Sequence, residues 1–281
     1  VREYHKEQLV KETDAIIKIV RACVCGSDLW WFSRISERQP VPVGHEAVGL
    51  IEEVGTGVKN FKVGDFVIVP FTHGCGHCPI CLAGFEANCP NAKDGVNGGY
   101  QGEFYRAINA DGALVKIPGQ PSDYSDDQLA SLTTLADVMP TGFHAAKAAD
   151  VHEGDTVVVF GDGAVGLCAV ISAKLLGAKR IIAMSRHEDR AALARDFGAT
   201  DIIAERGEEA IQKIMFLTNG YGADAALECV GTKQAIESAF QAVRAGGRVG
   251  RVGVPHDVDH NEWIDSLFWK NIQLGGGVAS V

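Results

Sequence analysis

The sequence predicts an α/β protein in two parts, an antiparallel β domain followed by a doubly wound parallel sheet, because its texture changes along the chain. Up to Pro118 it carries short β-rich runs broken by Gly and Pro; beyond Gly154, all-apolar strands alternate with amphipathic helices. A helical stretch over residues 126–150 joins the two.

In the first part, strands are predicted at residues 15–20 (AIIKIV), 47–54 (AVGLIEEV), 66–69 (FVIV) and 114–117 (LVKI). Leu129, Leu132, Thr133 and Leu135 then fall near one helical face, and Pro140-Thr141-Gly142 is expected to interrupt the helix and act as the hinge. Six strands follow, at 156–160, 180–183, 201–203, 223–228, 247–252 and 272–275. Strands apolar on both faces need helices above and below, which a parallel doubly wound sheet provides. The expected domains are residues 1–138 and 139–281.

Of the 281 residues, 46% are hydrophobic and 22% charged, which excludes a disordered chain. The longest nearly uncharged apolar stretch, residues 164–173, falls short of the ~20 that a bilayer span needs, and Lys174 closes it. With 26 Lys and Arg against 36 Asp and Glu, the net charge of -10 argues against a nucleic-acid partner, so any anion must be bound by local structure. Residues 1–6 lack the apolar core of a secretory signal, and the eight cysteines then read as metal ligands, reactive thiols or packing in a reducing cytoplasm. The first residue is not Met, so a fragment or trimmed chain is expected.

Cys75-Gly76-His77-Cys78-Pro79-Ile80-Cys81, with Cys89 after seven more residues, puts four thiolates on one short loop. Four soft ligands in a tetrahedron select zinc over an iron–sulfur cluster or four unrelated thiols, and a closed sulfur shell makes the site structural. In small peptides such a site carries about 10 to 16 kcal/mol of apparent free energy. His77 is expected in solvent.

In the second part, Gly161-Asp162-Gly163-Ala164-Val165-Gly166 directly follows an apolar strand and opens a helix. Gly161 makes the turn, Gly163 admits a pyrophosphate, Gly166 lets the helix pack closely, and the helix N-terminus with Ala164 and Val165 supplies donors for the anion. The next strand ends at Ser185-Arg186-His187, where a site for NAD would offer a carboxylate to the ribose about 20 residues beyond the glycines. No acid stands there, whereas Arg186 can pair with the 2′-phosphate of NADP and Ser185 can donate to it, so NADP is preferred. Arg190, on the following helix, is a further candidate contact. The alternative leaves Arg186 in solvent and gives the ribose of NAD to Glu188 or Asp189.

Three more ligand-type residues sit in constrained surroundings: Cys25 in Cys25-Gly26-Ser27-Asp28, His45 in Gly44-His45-Glu46, and Asp137 before Val138-Met139-Pro140-Thr141-Gly142. With Gly49, Val54 and Gly55 after Gly44-His45-Glu46, and with the four-cysteine loop, the chain resembles the zinc-dependent medium-chain alcohol dehydrogenase family. The resemblance implies a GroES-like antiparallel β catalytic domain joined to a Rossmann domain. It also implies a catalytic zinc held by Cys25, His45 and Asp137, with Glu46 able to approach or join it, beside the structural zinc on Cys75, Cys78, Cys81 and Cys89. Ser27 matches the hydroxyl that takes the alcohol's proton, and Asp28 the carboxylate that orients His45.

Trp30 departs from the histidine that many relatives use to continue the relay, and Trp30, Trp31 and Phe32 either line a substrate pocket or fill core. Thr141 and Val252-Gly253-Val254 are implied as walls around the nicotinamide, with Arg251 as a surface charge. Cys23, Cys168 and Cys229 read as packing. The expected activity is reversible hydride transfer between an alcohol or carbonyl compound and NADP, or NAD, in a homodimer or homotetramer. A non-catalytic zinc- and nucleotide-binding regulator is the alternative, and Cys25 together with His45 disfavours a zinc-free quinone reductase. Family members continue past the last strand into a segment that completes the catalytic domain, and Val281 stands where that return is expected to begin.

Overall fold

The structure is a computed structural model that describes residues 6–29, 42–92, 98–255 and 269–281. Trp30, Trp31 and Phe32 lie outside the described residues. The chain forms two compact units, Val1–Asp137 with Ser280–Val281, and Val138–Ala279.

The first unit is built on a five-stranded antiparallel sheet of β1 (Ala15–Ala22), β2 (Ala47–Val54), β3 (Phe66–Val69), β4 (Phe104–Ala107) and β5 (Val115–Lys116), in the order β4-β1-β2-β3-β5. Side chains alternate across a strand, so β3 covers two cores at once. Val67 and Val69 join Ala15, Ile17, Ile51 and Tyr100 on one face. Phe66 and Ile68 join Val48, Ile117, Leu129 and Ala136 on the other. Short helices α1 (Pro79–Leu82) and α2 (Ala110–Ala113) lie in the connections, and α3 (Asp126–Thr133) brings Leu129 onto the second face.

Two expectations need correcting here. Strand β4 was not foreseen, because its sequence FYRA has no apolar run; only Tyr105 and Ala107 are buried. The strand expected at 114–117 shrinks to Val115 and Lys116, both exposed, so pairing with β3 rather than burial defines it.

The helical break also moves. After α3 a 3-10 turn covers Thr134–Ala136, and the chain bends at Asp137 (φ -153°, ψ -71°) before α4 (Val138–Ala148). Pro140, Thr141 and Gly142 lie inside α4. Proline is tolerated in a first turn, whose N–H groups have no intrahelical acceptor. Gly142 is needed for packing instead: a Cβ there would come within 2.6 Å of the Ala169 nitrogen on the neighbouring helix.

The second unit has a six-stranded parallel sheet in the order β11-β10-β9-β6-β7-β8. Its strands are β6 (Thr156–Phe160), β7 (Arg180–Met184), β8 (Asp201–Ile203), β9 (Ala223–Glu228), β10 (Val243–Arg251) and β11 (Gln273–Gly276). Helices α5 (Ala164–Leu175), α6 (Glu188–Phe197), α7 (Gly207–Leu217) and α8 (Lys233–Ala242) connect them. Val158, Phe160, Ile182 and Met184 enter one core, while Val157, Val159, Ile181 and Ala183 enter the other. The strand order reverses between β6 and β9, and ligands of such sheets bind at the carboxyl ends of strands at that point.

Backbone crowding fixes α4 over this sheet. A Cβ on Gly250 of β10 would lie 2.0 Å from the Ala145 carbonyl oxygen. Gly250→Ala is therefore expected to destabilise the protein by about 1–3 kcal/mol as the helix is pushed off the strand, measured as a lowered midpoint in urea denaturation.

Candidate active site and metal centres

Cys25 follows β1 in a tight turn: the Asp28 N–H donates to the Cys25 carbonyl (3.1 Å) and the Leu29 N–H to Gly26 (3.2 Å). His45 and Glu46 directly precede β2. Gly44 before them has φ +88°, and a Cβ there would stand 2.6 Å from the Gln101 side chain. Only glycine adopts that conformation freely in so little room. Asp137 enters from the bend between α3 and α4. These three excursions converge: one ligand atom from each of Cys25, His45, Glu46 and Asp137 lies within 4.8 Å of the others.

An Asp137 carboxylate oxygen stands 3.2 Å from His45 Nε2 and 3.6 Å from Cys25 Sγ. Asp28 brackets two of the four, with one oxygen 3.3 Å from His45 Nδ1 and the other accepting the Cys25 N–H at 2.9 Å. A ligating histidine held this way through its second nitrogen is fixed in ring orientation and tautomer. Ser27 is half-buried in the same turn.

Electrostatics explain what the cluster needs. Burial disfavours a charged His45, yet Asp137 and Cys25 outweigh it and hold the imidazole pKa up at about 10. Burial, reinforced by Asp137, pushes the Glu46 carboxyl up to about 7. A set of one sulfur, one imidazole and two carboxylates, the carboxylates buried and the other two half-buried, favours a positive charge at its centre, and this donor set suits a zinc ion. One Glu46 oxygen is buried without a hydrogen-bond partner, consistent with a group reserved for such a cation. Cys23, expected as mere packing, touches the other Glu46 oxygen, and burial first, then Glu46, raises its thiol to about 12.

The second centre comes from one loop. Neighbouring sulfurs are 3.5 Å (Cys78 and Cys81), 3.8 Å (Cys78 and Cys89) and 3.9 Å (Cys75 and Cys81) apart, with Cys78, Cys81 and Cys89 buried. Zinc–sulfur bonds of ≈ 2.3 Å set tetrahedral edges of ~3.8 Å, so the sulfurs already describe the shell of one ion. Backbone and amide donors approach them: the Cys75 N–H to Cys89 (3.3 Å), the Cys81 N–H to Cys78 (3.4 Å) and the Asn91 amide to Cys75 (3.4 Å). The Asn91 amide is foremost in drawing the Cys75 thiol down to about 5, whereas burial drives Cys81 up to about 12. His77 is exposed and points Nδ1 at the Cys75 carbonyl, away from the sulfurs.

In the second unit, the loop after β6 has the features of an anion cradle. Gly161 has φ +115°, and a Cβ on Gly166 would lie 2.0 Å from the Gly161 carbonyl oxygen. Nothing of the protein lies near a Cβ on Gly163, so that opening is free for a ligand. Helix α5 begins there with no side-chain cap and no acid in its first turn, leaving Ala164, Val165 and their neighbours to present bare N–H groups. Ser185 is buried at the end of β7, and Arg186 is exposed beside it.

A zinc-binding dehydrogenase model matches residues 164–277, and an alcohol dehydrogenase GroES-like domain matches residues 11–119. The chain is 37% identical over 285 residues to a zinc-type alcohol dehydrogenase B of Aspergillus flavus, covering 95% of this chain and 64% of that protein. It is 34% identical to an NADP-dependent isopropanol dehydrogenase of Clostridium beijerinckii, over 95% of this chain and 74% of the relative. Among solved structures, alcohol dehydrogenase TADH from Thermus sp. ATN1 superposes with a TM-score of 0.88 at 30% identity, covering 99% of this chain and 81% of that one. The chain belongs to the zinc-dependent medium-chain dehydrogenase family. Its two units thus have the GroES-like and Rossmann folds. Among the described residues, no helix is long and apolar enough to cross a membrane.

Two further acids organise the second unit. Glu228, fully buried at the end of β9, accepts N–H bonds from Val230 (2.8 Å) and Gly231 (2.6 Å) through its side chain. Its carbonyl takes Val252 (2.9 Å) and Gly253 (3.0 Å), so one residue ties the loop after β9 to Val252-Gly253-Val254. Arg251, expected as a surface charge, is half-buried with its guanidinium 3.5 Å from this carboxylate. The signal available was an acid closing the apolar run Ala225-Ala226-Leu227. The second is Asp162, within the glycine loop, which accepts the Ser185 hydroxyl (2.8 Å) and pairs with Arg190 (3.2 Å). Thr141 is half-buried in the first turns of α4.

Both centres can be tested by metal content. Asp28→Asn is expected to weaken retention of the metal at the Cys25 centre by about 10- to 100-fold, read as faster loss to a chelator. Cys81→Ala should lose the other ion and lower the Tm by more than ~5 °C, checked by elemental analysis and calorimetry.

Proposed function

We propose that the protein is a zinc-dependent alcohol dehydrogenase that transfers hydride reversibly between an alcohol and its aldehyde or ketone, with NADP preferred over NAD. The convergence of Cys25, His45, Glu46 and Asp137 carries this reading. Cys25, His45 and Asp137 would hold the catalytic zinc, with Glu46 poised to join, and Cys75, Cys78, Cys81 and Cys89 a structural one. When bound, the zinc would polarise the substrate oxygen as a Lewis acid, and the nicotinamide would accept or return the hydride.

The chain's own groups do the rest. Asp28 keeps His45 and Cys25 in place through contacts of 3.3 and 2.9 Å. Ser27 Oγ is the group proposed to take the hydroxyl proton as the alcohol is oxidised, and to return it in the reverse direction. Ala164 and Val165 at the helix start would hold the pyrophosphate through backbone donors, with Gly161, Gly163 and Gly166 shaping the loop for it, and Thr141 and Val252-Gly253-Val254 would flank the nicotinamide. Arg186 is exposed at the end of β7, with Ser185 beside it, and is the proposed partner of the 2′-phosphate; NADP also stands in the names of relatives 34% and 36% identical. Those names also point to small secondary alcohols as first substrates to try. Thiolate ligands fit a reducing, cytoplasmic setting, and a homodimer or homotetramer is the proposed assembly.

Elemental analysis should find about two zinc ions per chain. Asp137→Ala should lower alcohol oxidation by at least ~100-fold, as removal of a ligand does to Lewis-acid catalysis, while the four-cysteine zinc stays bound. Equal turnover of wild type and variant in a spectrophotometric assay would overturn the reading. Arg186→Ala should raise KM for NADP about tenfold, the loss expected for one charge-assisted pair, and leave KM for NAD nearly unchanged.

A further inference from the structure

Where the sequence places no acid, at the end of β7, the fold brings one from elsewhere. Asp162 belongs to the loop after β6, yet its carboxylate lies 2.8 Å from the hydroxyl of Ser185, the residue that follows β7. This is the place at which dinucleotide folds present a carboxylate to the ribose hydroxyls. The other oxygen of Asp162 is 3.2 Å from the Arg190 guanidinium. Asp162 is thus engaged with two of the three groups that the sequence offers to a 2′-phosphate, leaving Arg186 alone exposed and uncommitted among the described contacts.

From this arrangement we propose that Asp162 is the residue that keeps NAD usable and limits the preference for NADP. The inference rests on the dinucleotide-binding reading above and adds to it a determinant of cofactor choice. With NAD, the free carboxylate lone pairs accept the ribose 2′-hydroxyl. With NADP, the 2′-phosphate arrives next to a fixed negative charge. Ser185 donates its single proton to Asp162, and the Arg190 charge is already balanced, so Arg186 supplies most of the attraction. Ser185 and Arg190 hold the Asp162 carboxyl below the usual carboxylate range against the opposing effect of burial, so it carries its charge throughout the neutral range. A hollow of about 290 Å³ opens beside Ser185 and Arg186, lined also by His187, Ala204, Glu205 and Lys213, close to the lower limit for ligand sites.

The test is Asp162→Asn, which keeps the side-chain shape and an oxygen for Ser185 but removes the charge. Dissociation constants for NADPH and NADH, read from nucleotide fluorescence on one preparation of the zinc-loaded protein, give a ratio that does not depend on the fraction folded. The variant is expected to shift that ratio about tenfold toward NADPH, the size of one like-charge contact. Asp162→Ala should shift it in the same direction. A ratio within twofold of wild type in both variants overturns the assignment while leaving the dinucleotide reading intact. A shift toward NADH also overturns it, because Asp162 would then be a scaffold that aligns Ser185 and Arg190 on the phosphate. Failure of wild type to bind either nucleotide would bring down the cofactor reading itself, and this inference with it.

Discussion

Groups that ionise negatively repel one another when packed together out of water, and the first unit packs them together twice. At Cys25, His45, Glu46 and Asp137 the conflict is visible in the raised proton affinities of His45 and Glu46. At the four-cysteine loop a shell of sulfurs 3.5 to 3.9 Å apart holds one thiol drawn down, chiefly by the Asn91 amide, and another driven up by burial. Each arrangement favours a cation, and each includes a glycine in the left-handed region: Gly44 at φ +88°, and Gly76 at φ +74° between the first two cysteines. The sheet behind them explains why convergence is possible. β1 and β2 are adjacent and antiparallel, so the turn leaving β1 and the segment entering β2 meet at one end, with Ala22 opposite Ala47. The bend at Asp137 then needs only to reach that end.

The centres differ in how legible they were. Four cysteines with short spacings define a ligand set almost by themselves, since the loop is too short to scatter them. Cys25, His45 and Asp137 are far apart in sequence, and no local pattern joins them; the resemblance of Gly44-His45-Glu46 and its flanks supplied the connection. Glu46 and Cys23 show the remaining gap. Their contact depends on how the end of β1 lies against the start of β2, which is a matter of register rather than composition.

Misplaced elements have the same origin. Pro140-Thr141-Gly142 reads as a break because proline and glycine weaken helix interiors, but in the first turns of α4 proline costs little and Gly142 is required by the neighbouring helix. Strand β4 was missed because half of its side chains face outward and the rest form no run; only pairing with β1 reveals it. Along the inner strands β6, β7 and β9, by contrast, the apolar runs match the predicted strands, since burial on both faces dictates residue type at most positions.

An acidic chain that binds a phosphate-bearing ligand must do so without a basic surface, and the loop after β6 suggests how. Backbone N–H groups at an uncapped helix start carry no net charge, so they offer anion affinity that the overall balance of -10 leaves intact. Glycine at 161, 163 and 166 lets that backbone approach its ligand and its own helix. At the end of β7, the proposed ribose site, Asp162 accepts the buried Ser185 hydroxyl and pairs with Arg190, with Arg186 exposed next in the chain. Because opposite charges there sit within hydrogen-bond reach, removing any one of them changes what its neighbours are free to bind. Under the proposed function, selectivity between two ligands that differ by a single phosphate would follow from how these few groups are paired, and not from the charge of the protein as a whole.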